Sequence, residues 1–339
     1  AVCCLSSLNL EKYDEWKDDP NMISDVMRFL DNVLSDFINK APDQFKDAKY
    51  SAERERSVGL GVMGFHSFLQ KHRIPLESVM AKSWNKKIFK QIDEQVNQAS
   101  KDLAEERGTF PAWDNSDYGE DEKYRNACRL TVAPTGTISM FADASSGVEP
   151  LFSLAYRKMN ILEGETLYYV NKYFEQDAKE MGFYSEELME YLSDGGSLKD
   201  RTEVPDEIKE IYTTAPEISP EAHVGMQAAF QEHCDSGISK TINFANDATI
   251  EDVYTTYMLA WKTKCKGITV YRAGSRDKEV LVTAHKTEEK DTPEAQLSLF
   301  DDVEDTLEGE YDCCTTAVVV MESGCETCKA CGWSMCHVA

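Results

Sequence analysis

A helix start that could bind an anion lies near the middle of the chain, at residues 134–138. The β-rich run Leu130–Ala133 leads into Pro134, which we place in the first helical turn because proline has no N–H to leave unpaired there. The free N–H groups of that turn carry the positive end of the helix dipole, and Gly136 allows a phosphate to approach closely. An ordinary strand-to-helix turn is the alternative. The candidate phosphate-binding residues, two of which add hydroxyl donors, are Pro134, Thr135, Gly136, Thr137 and Ile138.

Cysteine is the second residue type that could do chemistry. The chain has 11 cysteines, and more than half of them fall between residues 313 and 336. In a small secreted protein such a cluster would indicate a disulfide scaffold, but 339 residues are enough for a full hydrophobic core. The cluster therefore predicts metal binding or thiol redox chemistry.

Composition limits the classes of partner. The net charge is −25 and the isoelectric point is about 4.6, so we expect no direct binding to DNA, whose phosphates would repel the chain. No apolar run approaches the length of a membrane span, and the chain does not open with a signal peptide. We expect a soluble, cytoplasmic protein. Because the first residue is alanine, we also expect a fragment or a processed half of a longer protein.

Strands and helices alternate along the chain, which predicts an α/β fold with a largely parallel sheet or barrel. The predicted strands are residues 3–10, 130–133, 239–244 and 268–272, and the predicted helices are residues 21–40, 76–107, 221–233 and 249–264. Thr249, with Asp252 three residues on, predicts a helix N-cap. The charged helix at 76–107 should lie outside the core, and residues 160–215 should form outer helices. Close helix packing and a ligand explain the glycines at 59, 61 and 64 equally well.

Six segments, in order, resemble the adenosylcobalamin-dependent (class II) ribonucleotide reductases. They are residues 3–10, 58–65, 133–139 with 145–150, 226–231, 239–243 and 267–276, which read CCLSSLNL, VGLGVMGF, APTGTIS with SSGVEP, MQAAFQ, SKTIN and GITVYRAGSR. The resemblance covers nearly all of residues 1–281 and the cysteine-rich tail.

The resemblance implies that residues 1–281 form the second half of a ten-stranded α/β barrel, beginning at its sixth strand. In that family a finger loop between the two five-stranded halves carries the thiyl-radical cysteine, which would have to come from an N-terminal half. Cys3 matches one member of the cysteine pair that supplies the reducing electrons, and residues 135–138 match the helix start that binds the substrate diphosphate. The implied activity is reduction of a ribonucleoside di- or triphosphate.

Tyr271 and Arg272 bear on the source of the radical. Class I large subunits carry two adjacent tyrosines at the matching positions to pass the radical in from a second subunit, and Arg272 stands in place of one of them. The resemblance therefore implies adenosylcobalamin as the cofactor. Two other interpretations stay open: a class I large-subunit half, and a non-catalytic nucleotide-binding half-barrel module.

The tail, residues 313–339, follows an acidic, flexible linker at residues 282–312. Cys331 and Cys336 match the family's C-terminal pair, which re-reduces the active site and is itself reduced by a thioredoxin or glutaredoxin-type protein. A coil of about 55 residues before Cys331 spans roughly 40 Å, enough to reach a barrel mouth. Four more cysteines resemble a zinc ribbon, because Zn²⁺ prefers four thiolates, and free thiols are the alternative. These four are Cys313, Cys314, Cys325 and Cys328.

A pentapeptide in the linker resembles the motif by which bacterial replication proteins dock on the sliding clamp. Its residues are Gln296, Leu297, Ser298, Leu299 and Phe300. Three apolar side chains exposed in a polar linker are unfavourable unless a partner binds them. We hypothesise that the linker tethers the protein to the clamp. Packing on the protein's own surface is the alternative.

The remaining histidines and cysteines are predicted to be structural. His223 and His233 lie ten residues apart with no further ligand at metal spacing, so we expect each at the surface or in a helix cap. The cysteines expected to be packed, unreactive thiols are Cys4, Cys128, Cys234 and Cys265.

Overall fold

The computed structural model describes the backbone of residues 2–161, 165–275, 319–322, 325–328 and 334–336, and the side chains of residues 2–156 and 169–275. The chain divides into two compact units, Ala1–Lys286 and Thr287–Ala339. The helices are α1 (Tyr13–Trp16), α2 (Met22–Lys40), α3 (Lys46–Glu55), α4 (Phe65–Lys71), α5 (Val79–Arg107), α6 (Gly136–Phe141), α7 (Lys172–Met181), α8 (Glu186–Ser193), α9 (Asp206–Ile211), α10 (Pro220–Gln231) and α11 (Ile250–Lys262). The strands are β1 (Leu5–Asn9), β2 (Gly59–Met63), β3 (Ala155–Ile161), β4 (Glu165–Val170), β5 (Thr241–Phe244), β6 (Thr269–Arg272), β7 (Val319–Glu322), β8 (Cys325–Cys328) and β9 (Ser334–Cys336).

Five segments of the first unit run parallel to their neighbours. β1 pairs with β2, and β5 pairs with β6, both in parallel. Parallel bridges join β2 to residue 130 and residue 132 to residue 238, which shortly precedes β5. The neighbouring segments therefore follow one another in the order β1, β2, residues 130–132, residues 238–244 and β6. This is the largely parallel α/β arrangement that the alternation in the sequence predicts.

The glycines of β2 lie in a strand, so the interpretation of this pattern as helix packing is wrong. All five residues of β2 are buried. A Cβ atom on Gly61 would lie 2.1 Å from the carbonyl oxygen of Thr131, and one on Gly59 would lie 2.4 Å from Cγ2 of the same threonine. Glycine is needed here because the neighbouring segment, residues 130–132, approaches β2 too closely for any side chain.

α2 and α5 pack together beside the sheet and share its main hydrophobic core. The apolar residues of α2 recur every three or four positions, and those that are buried are Ile23, Met27, Leu30, Leu34 and Ile38. The expectation that residues 76–107 lie outside the core is wrong. One face of α5, with Ile88, Ile92 and Val96 at intervals of four, is fully buried among these residues. The charges of α5 occupy only its other face.

β3 pairs antiparallel with β4, whereas the sequence predicts helix from residue 160 onward. The prediction of outer helices is confirmed from α7 onward, and α8 ends just before the two glycines at 195–196. α7, α8 and α9 bury a second core that includes Phe174, Leu188 and Ile208. This second core is separate from the one shared by α2 and α5.

α11 lies between β5 and β6 in the chain and completes the first unit. Its predicted N-cap is confirmed: the Thr249 hydroxyl accepts the Asp252 N–H at 3.2 Å, and the Asp252 carboxylate accepts the Thr249 N–H at 2.8 Å. A small core of four buried residues holds these elements together: Val224, Ile242, Phe244 and Ala260.

The second unit contributes an antiparallel sheet in the order β7, β8, β9. Its register places Cys325 opposite Cys336 and Cys328 opposite Val319. Across the parts of the chain that the structure describes, no helix has both the length and the apolar character that crossing a membrane requires.

Candidate functional site

The predicted phosphate-binding segment follows the carboxyl end of the third parallel segment, residues 130–132. Its helix, α6, begins at Gly136, so the placement of Pro134 in the first turn is wrong. The chain makes a left-handed turn at Thr135, the N-cap, and a right-handed helix cannot include that turn. The helix start is open to solvent, since a Cβ atom added to Gly136 would meet no atom within 4 Å. The exposed residues here are Pro134, Gly136, Thr137 and Ile138.

The N–H groups of residues 136–138 point out of the start of α6. In any α-helix the first N–H groups have no partner within the helix. In α6 the Ser139 N–H donates to the Thr135 carbonyl at 2.9 Å, which closes the first turn. The outward N–H groups and the exposed Thr137 form the donor set that suits a phosphate oxygen.

Thr135 has φ 56° and ψ 23°, in the left-handed region that a β-branched residue rarely adopts. Such a conformation costs on the order of 1–3 kcal/mol and persists only where the surroundings enforce it. Here Thr135 is buried, and its Oγ1 accepts the Gly147 N–H at 2.7 Å. A hydroxyl that accepts one hydrogen bond can still donate another to a ligand.

Residues 145–151, which we call the 145–151 loop, hold this helix start. Three of its N–H groups donate to side chains of α4 and of Thr135, the N-cap of α6. The three pairs are Ser145 N–H to Ser67 Oγ (2.9 Å), Gly147 N–H to Thr135 Oγ1 (2.7 Å) and Leu151 N–H to His66 Nδ1 (2.9 Å). The remaining odd-numbered residue, Glu149, accepts the Thr241 N–H of β5 at 2.5 Å. The loop therefore connects α4, α6 and β5.

Lys240 lies at the centre of a buried polar cluster against this loop and is 2% exposed. Its ammonium donates to Glu149 Oε2 at 2.6 Å, to the Thr241 carbonyl at 2.6 Å and to His223 Nδ1 at 2.8 Å. An ammonium has three protons, so these three acceptors satisfy it fully.

The expectation that His223 lies at the surface or in a cap is wrong, because it is fully buried. Its Nε2–H donates to the Ala215 carbonyl at 3.2 Å. Burial, with the nearby Lys240 charge, lowers the pKa of His223 to about 3, and the same two causes lower the pKa of the buried His66 to about 3. Both imidazoles are therefore neutral acceptors. His233, in contrast, is partly exposed, as expected.

A cavity of about 230 Å³ opens at the carboxyl ends of β5 and β6. The strands contribute Asn243 and Tyr271 to its wall, and the segment before α9 contributes residues 195–198. Ligands of open α/β sheets bind at the carboxyl ends of the parallel strands. The cavity and α6 both lie at that end of the strands.

Cys3 and Cys4 precede β1 and differ in accessibility. Cys3 is exposed, whereas Cys4 is buried, and burial raises the pKa of the Cys4 thiol. Cys4 is thus a packed thiol, as expected, and only Cys3 of the two is placed to exchange electrons with another cysteine. Cys3 and Thr135 lie toward opposite ends of the parallel strands, because Cys3 precedes its strand and Thr135 follows residues 130–132.

The other cysteines predicted to be packed differ in burial. Cys234 is buried, and its burial raises the thiol pKa to about 12, so it stays protonated. Cys128 and Cys265 are only half-buried. None of these three is joined to another cysteine.

The predicted tail sites fall largely outside the described residues. Cys313, Cys314 and Cys331 lie outside, as does the pentapeptide at residues 296–300. Backbone positions are described for Cys325, Cys328 and Cys336, the first of which faces the third across the sheet. Among the described side chains no group of His, Cys, Asp or Glu could hold a metal ion. The zinc prediction therefore stays a prediction.

Sequence reasoning missed Glu149, Lys240 and His66 as parts of this site. A signal was present, because Glu149 lies in the SSGVEP segment and Lys240 in the SKTIN segment. Two opposite charges inside otherwise uncharged segments are expected to pair if both are buried. Their 91-residue separation hides that pairing until the chain folds.

The parallel strands define this unit as an α/β protein, and the open helix start at the carboxyl end of residues 130–132 is its candidate phosphate-binding site. The family model described as "Ribonucleotide reductase, barrel domain" matches residues 1–124 and 119–271. The chain therefore belongs to the ribonucleotide reductase barrel-domain family.

Curated relatives of the chain point to the same family. The chain is 43% identical over 302 residues to the vitamin B12-dependent ribonucleoside-diphosphate reductase of Thermoplasma acidophilum, covering 87% of this chain and 38% of that protein. It is 38% identical over 287 residues to the enzyme of the same description from Mycobacterium tuberculosis, covering 83% of this chain and 41% of that protein. The chain thus spans about two fifths of these relatives.

A solved structure gives the same fold. The class Id ribonucleotide reductase alpha subunit of Actinobacillus ureae superposes with a TM-score of 0.72 at 32% identity. The similarity covers 81% of this chain and 50% of that subunit.

Proposed function

We propose that this chain is the carboxyl-terminal part of an adenosylcobalamin-dependent ribonucleoside-diphosphate reductase. In this proposal it binds the substrate diphosphate at residues 134–138 and supplies Cys3 to the pair that delivers the reducing electrons. An N-terminal half supplies the radical cysteine and the second cysteine of that pair. The names of the two relatives specify a ribonucleoside diphosphate, which favours this substrate over a triphosphate.

The observation that carries the proposal is the open helix start of α6. Thr135 is held in a costly left-handed conformation by Gly147, and its neighbours expose their N–H groups. Such strain is typical of ligand-binding positions. A diphosphate would accept these N–H groups and gain from the helix dipole, while the chain, with its net charge of −25, offers it few competing surfaces.

Cys3 suits the electron-donating role because it is exposed and is not joined to another described cysteine. Removal of the 2′-hydroxyl as water requires two electrons and two protons. Two thiols supply both when they form a disulfide, and a second dithiol must then restore them by exchange. Cys331 and Cys336 of the tail are our candidates for that second dithiol, with a thioredoxin or glutaredoxin-type protein as the final reductant.

Arg272 favours adenosylcobalamin over a radical-generating subunit, because a class I relay needs a tyrosine there. When bound, adenosylcobalamin supplies the radical that starts the reaction. The cavity of about 230 Å³ beside Tyr271 is too small for it, since pockets for much smaller, drug-sized ligands measure about 300–1,000 Å³. This cavity is therefore not a complete cobalamin pocket, and we assign none of its residues to the cofactor.

Deoxynucleotide formation tests the proposal. The assay contains adenosylcobalamin, a dithiol and a ribonucleoside diphosphate, with this chain alone or mixed with an N-terminal half that ends just before Ala1. We expect product only in the mixture, and none after Cys3→Ser, with Cys4→Ser as the matched control. A mixture that associates but makes no product would favour the non-catalytic nucleotide-binding module.

A class I large-subunit half is the second candidate, favoured by the fold of the Actinobacillus ureae alpha subunit. Cobalamin dependence separates the two candidates. Product formed without cobalamin, upon addition of a radical-generating subunit, would replace our proposal with the class I interpretation.

The pentapeptide of residues 296–300 suggests a bacterial sliding clamp as a further partner. We expect sliding clamp to retain the unaltered chain in a pull-down and to lose the variant carrying Leu299→Ala and Phe300→Ala. Equal retention of both proteins would refute this part of the proposal.

A further inference from the structure

Lys240 and Glu149 form a buried ion pair that the chemistry proposed above does not use. The side chain of Lys240 is 1% exposed and that of Glu149 is 22% exposed. Burying charges costs several kcal/mol per ion. A protein with two apolar side chains of similar size in place of such a pair is often equally stable. A pair of this kind therefore calls for a reason other than stability.

The position of the pair suggests that reason. Lys240 lies just before β5, and Glu149 lies in the 145–151 loop, 91 residues earlier. Glu149 binds β5 with both oxygens, because Oε2 accepts from Lys240 and Oε1 accepts the Thr241 N–H at 2.5 Å. Two residues before Glu149, the Gly147 N–H holds the Thr135 hydroxyl. The pair thus fixes the 145–151 loop close to Gly147, the residue that binds Thr135, the N-cap of α6.

The geometry points to Lys240 and Glu149 as positioning residues for the diphosphate site, a role that rests on the function proposed above. Neither residue needs to contact the phosphate. Together they hold the 145–151 loop against β5, and the loop holds Thr135 in its left-handed conformation.

Loss of the Lys240–Glu149 pair would disrupt the contacts of the 145–151 loop one after another. Without Lys240 the Glu149 carboxylate is left partly buried with its Oε2 unpaired, and it moves toward water. The loop follows Glu149, and the Gly147 N–H leaves the Thr135 hydroxyl. Thr135 then relaxes to a negative φ, which redirects the N–H groups of residues 136–138 away from a common acceptor.

Two measurements on the full chain test this role, with Lys240→Met as the variant. The first is amide hydrogen exchange of residues 133–151. The second is the affinity for inorganic pyrophosphate by titration calorimetry. We expect exchange in this segment to speed up, and the pyrophosphate Kd to rise, by at least about tenfold. Exchange in α2 and α5 should stay unchanged.

Arg56→Met is the matched control. Arg56 is also a buried cation, since its side chain is 8% exposed and its Nη2 lies 2.6 Å from the Asp31 carboxylate. The Arg56→Met variant loses the buried Arg56–Asp31 ion pair, which lies beside α2 and α3. We expect it to lower stability without changing the pyrophosphate Kd.

Unchanged exchange at residues 133–151 in Lys240→Met would overturn the positioning role. So would faster exchange with an unchanged Kd, or an equal loss of affinity in Arg56→Met. If Lys240→Met does not fold, Glu149→Gln replaces it, because glutamine keeps an oxygen for the Thr241 N–H but turns an NH₂ donor toward the Lys240 ammonium and so breaks the pair. Failure of the unaltered chain to bind pyrophosphate would instead refute the diphosphate site, and the exchange data would still report on the pair.

Discussion

Asp31 is the residue whose replacement should disturb the first unit most. It lies on α2, is fully buried, and its carboxylate accepts hydrogen bonds from three arginines that reach it from different parts of the chain. These contacts are Arg56 Nη2 at 2.6 Å, Arg107 Nη1 at 2.9 Å and Arg125 Nε at 3.3 Å. Asn126 also donates to it at 3.3 Å, so the carboxylate joins α2 to residues 125–126.

We expect Asp31→Asn to lower the free energy of unfolding by about 3 kcal/mol. Breaking a buried ion pair by removal of one charge typically costs about 3–5 kcal/mol, because the other charge stays buried and uncompensated. The side chains of Arg56, Arg125 and Arg107 are only 8%, 13% and 25% exposed, so water replaces little of the lost charge. Asparagine keeps one oxygen for Arg56, which places the cost at the lower end.

The effect should depend on pH. Burial alone would raise the pKa of Asp31, but hydrogen bonds and charges from Arg56, Arg125 and Arg107 outweigh it and lower this pKa. A lowered pKa in the folded state means that the stabilisation is complete above the unfolded value, about 3.9, and is lost as the pH falls through the folded value. Asparagine does not titrate, so the difference between the two proteins should be constant near neutral pH and shrink below about pH 4.

Urea unfolding followed by circular dichroism measures this difference at several pH values. Asp36→Asn is the control on the same helix, because the Asp36 carboxylate is exposed and pairs only with Lys40. We expect no measurable change for the control. A cost below about 1 kcal/mol for Asp31→Asn at neutral pH, or a cost that does not shrink in acid, would refute the reasoning.

Two other predictions concern β2 and the amino-terminal cysteines. Gly61→Ala should prevent native folding or cost more than about 3 kcal/mol, because the new Cβ atom would lie 2.1 Å from the Thr131 carbonyl oxygen; native stability in urea unfolding would contradict the close approach. A thiol-alkylating reagent should modify Cys3 in the folded chain at least about tenfold faster than Cys4, whose thiol is buried with a raised pKa. Mass spectrometry of the alkylated peptides measures both rates, and equal rates would remove the basis for assigning the redox role to Cys3.

Patterns local in the chain predicted much of the fold. The periodicity of α2, the capping box at Thr249 and the alternation of strands with helices each depend on residues within a few positions of one another. Predictions failed where a segment's environment decides its structure. The aromatic and β-branched residues of the β3–β4 hairpin do not distinguish strand from helix until they pair, and the charged face of α5 concealed its buried face.

The candidate site divides in the same way. Residues 134–138 could be predicted as a candidate phosphate site because glycine and hydroxyl residues close together in the chain form a local pattern. How the start of α6 is held could be read only from the folded chain. The left-handed Thr135, the Gly147 hydrogen bond and the Lys240–Glu149 pair depend on contacts between residues up to 91 positions apart in the chain. Contacts of that kind exist only after the parallel strands have brought their ends together, so no spacing in the sequence encodes them directly.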